Sequence, residues 1–144
     1  MINLIMIKQK LQQSIVTAFG RRPEILAAYV LGSVVSGKAV KESDFDLAVV
    51  VDNKKNLSFE KIYDLISSIS FPRNLDLSVV DKSSSPLFLF QMISKGKKIY
   101  IRDHQEIVAF EAFVLHNYYD TQHMRNIYYS YLKEKFKDKN YAYR

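Results

Sequence analysis

Apolar residues near the start of the chain recur at Ile7, Leu11, Ile15 and Ala18, spacings of four, four and three that mark one face of an α-helix. Gly20 supplies a stop, and Arg21-Arg22-Pro23 breaks the chain. An uninterrupted apolar run over 26–31 then reads as a buried strand that ends at Gly32. From Ser33 to Ser43 the pattern turns polar, with mixed charge around Gly37, and predicts a short helical turn and a loop. Residues 44–51 read as a second strand, followed by the polar turn Asp52-Asn53-Lys54-Lys55-Asn56. Phe59, Ile62, Ile66 and Ile69 mark another helix face, closed by Pro72, and 75–80 is a third strand. Pro86 opens a helix through Leu89, Met92 and Ile93, and Gly96 ends it. A short fourth strand is expected over 98–102, then helix from His104 to about Phe136 in two segments around Asp120-Thr121.

Helices alternating with strands, followed by a helical C-terminal third, predict an α/β (α+β) fold: a small mixed β-sheet flanked by helices. No internal repeat or long linker divides the 144 residues, so one domain is expected over 1–144, with its core over 1–103 and a helical segment over 104–144. The absence of cysteine excludes a disulfide framework and a thiolate zinc site, and fits a reducing compartment. The apolar stretch 1–7 lacks a basic leader and a small-residue cleavage site, so no secretory signal is expected. No apolar run approaches the roughly 20 residues a membrane span needs, and the cytoplasm is the expected location. The formal net charge of +6 is uneven, with Lys133, Lys135, Lys137, Lys139 and Arg144 crowding the C-terminus; a solvated helix end is the simplest reading.

The candidate chemistry lies at the ends of the apolar runs. Gly32-Ser33 is followed by ten residues and then Asp44-Phe45-Asp46, and a further carboxylate, Asp76, interrupts the third run. Side chains alternate across a strand, so Asp44 and Asp46 share a face, and Asp76 shares its own with Asn74 and Ser78. If the third strand neighbours the second, all three acids gather at one site. Carboxylates so placed repel one another unless a divalent cation lies between them, and hard oxygen ligands suit Mg²⁺. Three could hold two ions, one activating an attacking oxygen and one steadying phosphates. A glycine permits close backbone approach to a phosphate, and the Ser33 hydroxyl can donate to it. Each piece alone is weak: Gly-Ser is an ordinary turn, Asp-x-Asp pairs also serve metal-dependent glycosyltransferases, and a single strand Asp can be a satisfied buried acid. Three acids on buried strands are another matter, because each would cost several kcal/mol unless paired or metal-bound. The adjacent strands offer no cation, and a metal site at Asp44, Asp46 and Asp76 is expected.

Together these residues resemble the signature of the DNA polymerase β-type nucleotidyltransferase superfamily. Within it the chain is most similar to the minimal nucleotidyltransferases (MNT proteins) of HEPN–MNT toxin–antitoxin modules, with the motif-bearing likeness spanning 26–80. The resemblance implies a polymerase β-like palm with a helical C-terminal segment. It also implies a type VII-like antitoxin that transfers AMP from ATP, with two Mg²⁺ ions, onto a tyrosine of a partner HEPN ribonuclease and so silences it. By the same match Gly32 and Ser33 would hold the triphosphate and Asp44 and Asp46 would bind both metals. Asp76 would serve as ligand and general base. Relatives often carry arginines where this chain has Ser36 and Val40; Lys38 and Lys41 are the nearest substitutes, without arginine's two-pronged geometry.

The tail carries Tyr118, Tyr119, Tyr128, Tyr129, Tyr131, Tyr141 and Tyr143. At helical spacing such residues read as packing or a partner interface, and a hetero-oligomer with the toxin is expected over direct nucleic-acid binding. His104, His116 and His123 form no tight ligand pattern. Two alternatives stand beside the transferase: a binding-only antitoxin that masks its partner, and a small-molecule nucleotidyltransferase of the aminoglycoside-modifying kind.

Overall fold

The computed structural model describes the backbone of residues 2–32 and 44–138, with side chains for 9–32 and 44–137. The turn expected over 33–43, which carries Ser33, Ser36, Lys38, Val40 and Lys41, lies outside the described residues. Among those described, the order is α1 (Ile2–Gly20), β1 (Ile25–Leu31), β2 (Phe45–Val51), α2 (Phe59–Ile66), β3 (Leu75–Val80), α3 (Pro86–Lys95), β4 (Lys97–Ile101), α4 (His104–Asp120) and α5 (Gln122–Asp138).

The strands form one mixed sheet in the order β3-β2-β1-β4. β1 runs antiparallel to both β2 and β4, while β2 and β3 are parallel, joined by a crossover through α2. Alternation along the central strands divides the core in two. Leu47 and Val49 pack with Ile15 and Phe19 of α1 and Ile62 and Ile66 of α2. Ala48 and Val50, on the other face, pack with Leu89 and Met92 of α3 and Ile107, Phe110 and Val114 of α4.

Local chemistry explains the ends of two helices. Ser85 caps α3 by accepting from the Phe88 amide at 3.4 Å, and Pro86 occupies the first turn, where no amide donor is needed. The Gly96 amide closes the helix on the Met92 carbonyl at 2.9 Å. A β-carbon at Gly96 would run into that carbonyl and the Leu31 side chain, so the helix can turn into β4 only without one. Asp103 caps α4, and Thr121 ends it, its hydroxyl donating to the Asn117 carbonyl at 2.8 Å.

Two details differ from the apolar pattern. Phe59, read from its spacing as part of the buried face of α2, is 46% exposed and stacks on the equally exposed Tyr63; Leu57, just before the helix, is buried instead. The helix stops at Ile66, but Ile69 still packs against the core from the following turn. Among the described residues no helix is long and apolar enough to cross a membrane.

At the C-terminal ends of β2 and β3, Asp81 ties two turns together. It is buried, and accepts from the Lys54 amide at 2.9 Å, the Ser83 amide at 2.8 Å and the Ser83 hydroxyl at 2.5 Å. Burial pushes its carboxyl upward, but those hydrogen bonds and the Lys54 charge more than offset it and hold the group below its ordinary range.

Candidate functional site

The parallel pairing of β2 and β3 sets Asp46 directly opposite Asp76, and the antiparallel pairing of β1 and β2 sets Leu31 opposite Asp46. Gly32, the next residue after β1, therefore lies against the Asp46 carboxylate. Its φ of 74° is in the left-handed region, and a β-carbon there would collide with Oδ2 of Asp46. Glycine is required twice over, by its backbone angle and by the close approach. The start of β2 is pinned by the Phe45 amide, which donates to the Asn74 carbonyl at 2.7 Å, and by the Phe45 ring against Phe71 at 5.4 Å. Asp46 shares the sheet face of Ala48 and Val50, the face that α3 and α4 cover.

The strand register thus brings together Gly32, Asp46 and Asp76. Asp44 precedes the first residue of β2 by one position, at the same end of the sheet. Ser33, the other half of the expected phosphate turn, lies outside the described residues.

Exposure revises one premise. Burial of all three acids on their strands is expected from the sequence, yet Asp44 and Asp76 are exposed and Asp46 is half-buried. The cost that remains is concentrated on Asp46. Burial raises its carboxyl above the ordinary range, and the Asp76 charge, a hydrogen bond with Asp76 and the Asp44 charge all push the same way. A divalent cation relieves all of these at once. The carboxylates are not a closed cage: among the described residues no three acidic or histidine side chains converge closely enough to chelate an ion by themselves. This open arrangement fits Mg²⁺, which is commonly held by one or two carboxylates together with substrate phosphates and retained waters.

Two neighbours of Asp76 escape the hydrophobic pattern. Asn74 supplies the carbonyl that holds Phe45 in place, and half-buried Arg73 stands three residues before Asp76, in the turn that enters β3 at the carboxylate end. The signal for both is proximity to a strand-start acid, which periodicity does not weigh.

A family model described as polymerase beta, nucleotidyltransferase matches residues 13–105, a span that includes Gly32, Asp44, Asp46 and Asp76. The chain belongs to that family. Its solved structural neighbours include MntA–HepT toxin–antitoxin complexes. A chain of a toxin–antitoxin with AMP-PNP is similar at TM-score 0.63 and 21% identity over 87% of this chain and 98% of that one. A chain of the tri-AMPylated Shewanella oneidensis HEPN toxin in complex with MNT antitoxin is similar at TM-score 0.64 and 20% identity, again over 87% and 98%. A chain of MntA–HepT is similar at TM-score 0.60 and 20% identity over 89% and 98%. At such identities the likeness shows a shared nucleotidyltransferase fold. Comparison with curated proteins gives no match.

Proposed function

We propose that this nucleotidyltransferase-family chain is the antitoxin of a toxin–antitoxin module, a single domain that works in the cytoplasm. It transfers AMP from ATP to a tyrosine of a HEPN ribonuclease partner and thereby neutralises it. The observation that carries the reading is the strand register that faces Asp46 with Asp76 while Gly32 abuts the Asp46 carboxylate.

The tyrosine oxygen attacks the α-phosphate in line. The new bond joins that oxygen to the α-phosphorus, the bond from the α-phosphorus to the oxygen bridging toward the β-phosphate breaks, and pyrophosphate leaves. Asp76, exposed at the rim, accepts the tyrosine proton. Gly32, with no side chain, lets the triphosphate approach the backbone, and Ser33 donates to it. Asp44, Asp46 and Asp76 would hold two Mg²⁺ ions, which would supply charge neutralisation and Lewis acidity. Positioning of nucleotide and acceptor contributes the rest.

Intact mass spectrometry of the partner after incubation with ATP and Mg²⁺ tests this directly. The wild type adds AMP. Asp76→Asn keeps the fold and partner binding but slows transfer by about 10²–10⁴-fold, the usual cost of losing a general base. A near wild-type rate in that variant removes Asp76 from the mechanism. The alternative is a mask that binds its partner without transferring AMP. A wild type that neutralises its partner with no mass change decides for the mask.

A further inference from the structure

The last helix is out of keeping with the rest of the molecule. Of the α5 side chains from 122 to 137, only Arg125 and Leu132 are even half-buried, and all others are exposed. Yet Met124, Ile127, Tyr128 and Tyr131 follow one another at i, i+3, i+4 and i+7, a continuous apolar stripe whose members are 72%, 56%, 58% and 60% exposed. Tyr129 and Phe136, 50% and 56% exposed, extend it around the helix. Helices in proteins draw most of their stability from packing an amphipathic face, and large exposed apolar patches mark interaction sites.

The root of the helix is fixed. The Arg125 guanidinium lies 4.0 Å from the centre of the Tyr118 ring, which stacks on Phe90 of α3 at 3.8 Å. Arg125 also donates to the Thr121 hydroxyl and the Tyr118 carbonyl. The stripe is therefore presented from an anchored base, so less orientational freedom is lost when it docks.

Charge selects the occupant. Beyond Arg125, the described side chains of α5 carry Lys133, Lys135 and Lys137 against Glu134; Lys135, one turn after Tyr131, continues the stripe with its ammonium 5.9 Å from the Tyr131 ring, while Lys133 and Lys137 fall on the other side of the helix. Two copies of this arm would bring like charges together, in a chain whose net charge is already +6.

We propose that α5 is a docking arm, its Met124–Ile127–Tyr128–Tyr131 stripe seating in an apolar groove, rimmed by acidic side chains, on a partner protein. The identity of that partner rests on the toxin–antitoxin reading above; the transfer chemistry does not enter.

The test uses the full chain and the HEPN-domain protein proposed above as its partner, with light scattering for stoichiometry and calorimetry for affinity. The expected result is a chain that is monomeric alone and forms a complex with that protein. Ile127→Glu with Tyr131→Glu then weakens the complex by at least about 100-fold, as loss of two central anchors does, with unchanged circular dichroism. Lys133→Glu with Lys135→Glu weakens it less, about tenfold, and flattens its salt dependence. Absence of any complex, or undiminished affinity in both double variants, overturns the proposal. So does a wild-type dimer that the apolar substitutions dissociate, which assigns the arm to a second copy. Binding of a 20-nucleotide RNA that is lost in the lysine variants while partner affinity holds assigns it to nucleic acid and overturns the proposal as well. Mass measurement on the same samples keeps the two readings apart. A complex sensitive to the arm but without AMP addition supports docking and removes transfer; AMP addition indifferent to the arm does the reverse.

Discussion

At the carboxylate end of the sheet, polar groups are held in place by apolar ones. Asp46 and Asp76 stand in register on strands whose following residues, Leu47 and Leu77, are buried. In α5 the relation is inverted, with apolar groups held out in water from a root made of an arginine, a threonine and two stacked rings. The first region costs stability locally, through burial of the Asp46 carboxylate and its repulsion by Asp76 and Asp44, and the surrounding core offsets it. The second neither costs nor contributes much until something covers it. Charge crowded on a rigid frame points to a small ionic ligand. Apolar surface on a projecting helix points to a protein. The two regions therefore divide the work between chemistry and recognition.

Matched truncations should separate the core from α5 by the widest margin. Phe110 of α4 is 2% exposed and Phe136 of α5 is 56% exposed. Phe110→Ala should destabilise the protein by about 3–5 kcal/mol through the cavity it leaves. Phe136→Ala should change it by less than about 0.5 kcal/mol. Urea unfolding measures both, and equal losses would mean that α5 is packed in solution.

The acids at the two ends of the sheet should respond to pH in opposite senses. Asp81→Ala leaves the Lys54 and Ser83 donors without their acceptor and should cost about 1–3 kcal/mol at neutral pH. Because the Asp81 carboxyl is held low, its contribution is present above its unfolded value and fades as pH falls through the folded one. The penalty of the substitution should therefore shrink on acidification, as thermal scans from neutral to acid pH would report.

Asp46 has the opposite sign and the smallest effect. Its carboxyl is raised, so the stability it contributes is full below the unfolded value and is lost as pH rises through the folded one. Asp46→Asn should thus raise the melting temperature of the metal-free protein at neutral pH by a small margin, and the gain should vanish in acid. A variant that melts lower than wild type at neutral pH would contradict the crowding of charge at this rim.

Much of the architecture was legible because burial imposes period. The runs over 26–31 and 75–80 correspond to β1 and β3 within a residue, and the break at Asp120-Thr121 coincides with the end of α4. Phe59 failed because a helix start can expose a ring that merely continues a spacing, and stacking on Tyr63 is invisible to periodicity. Ile107, Phe110 and Val114 of α4 pack in the core with the sheet, whereas nearly all the described side chains of α5 are exposed. At the site, residue types and spacing were readable from local sequence, but the pairing of Asp46 with Asp76 depends on which strands are neighbours and in what register. Register is a long-range choice, set when the buried faces of neighbouring strands are matched. The left-handed Gly32 pressed on Asp46 follows from that choice and could not be seen before it.

Gly32 and the strand-end carboxylates should form one site for a metal-bound nucleotide. Calorimetry with a non-hydrolysable ATP analogue, with and without Mg²⁺, tests it most directly. Wild type should bind only when the metal is present, chelator should reverse the binding, and Asp44→Asn with Asp46→Asn should abolish it while the fold persists. Undiminished metal-dependent binding in that double variant would place the nucleotide elsewhere and contradict the account.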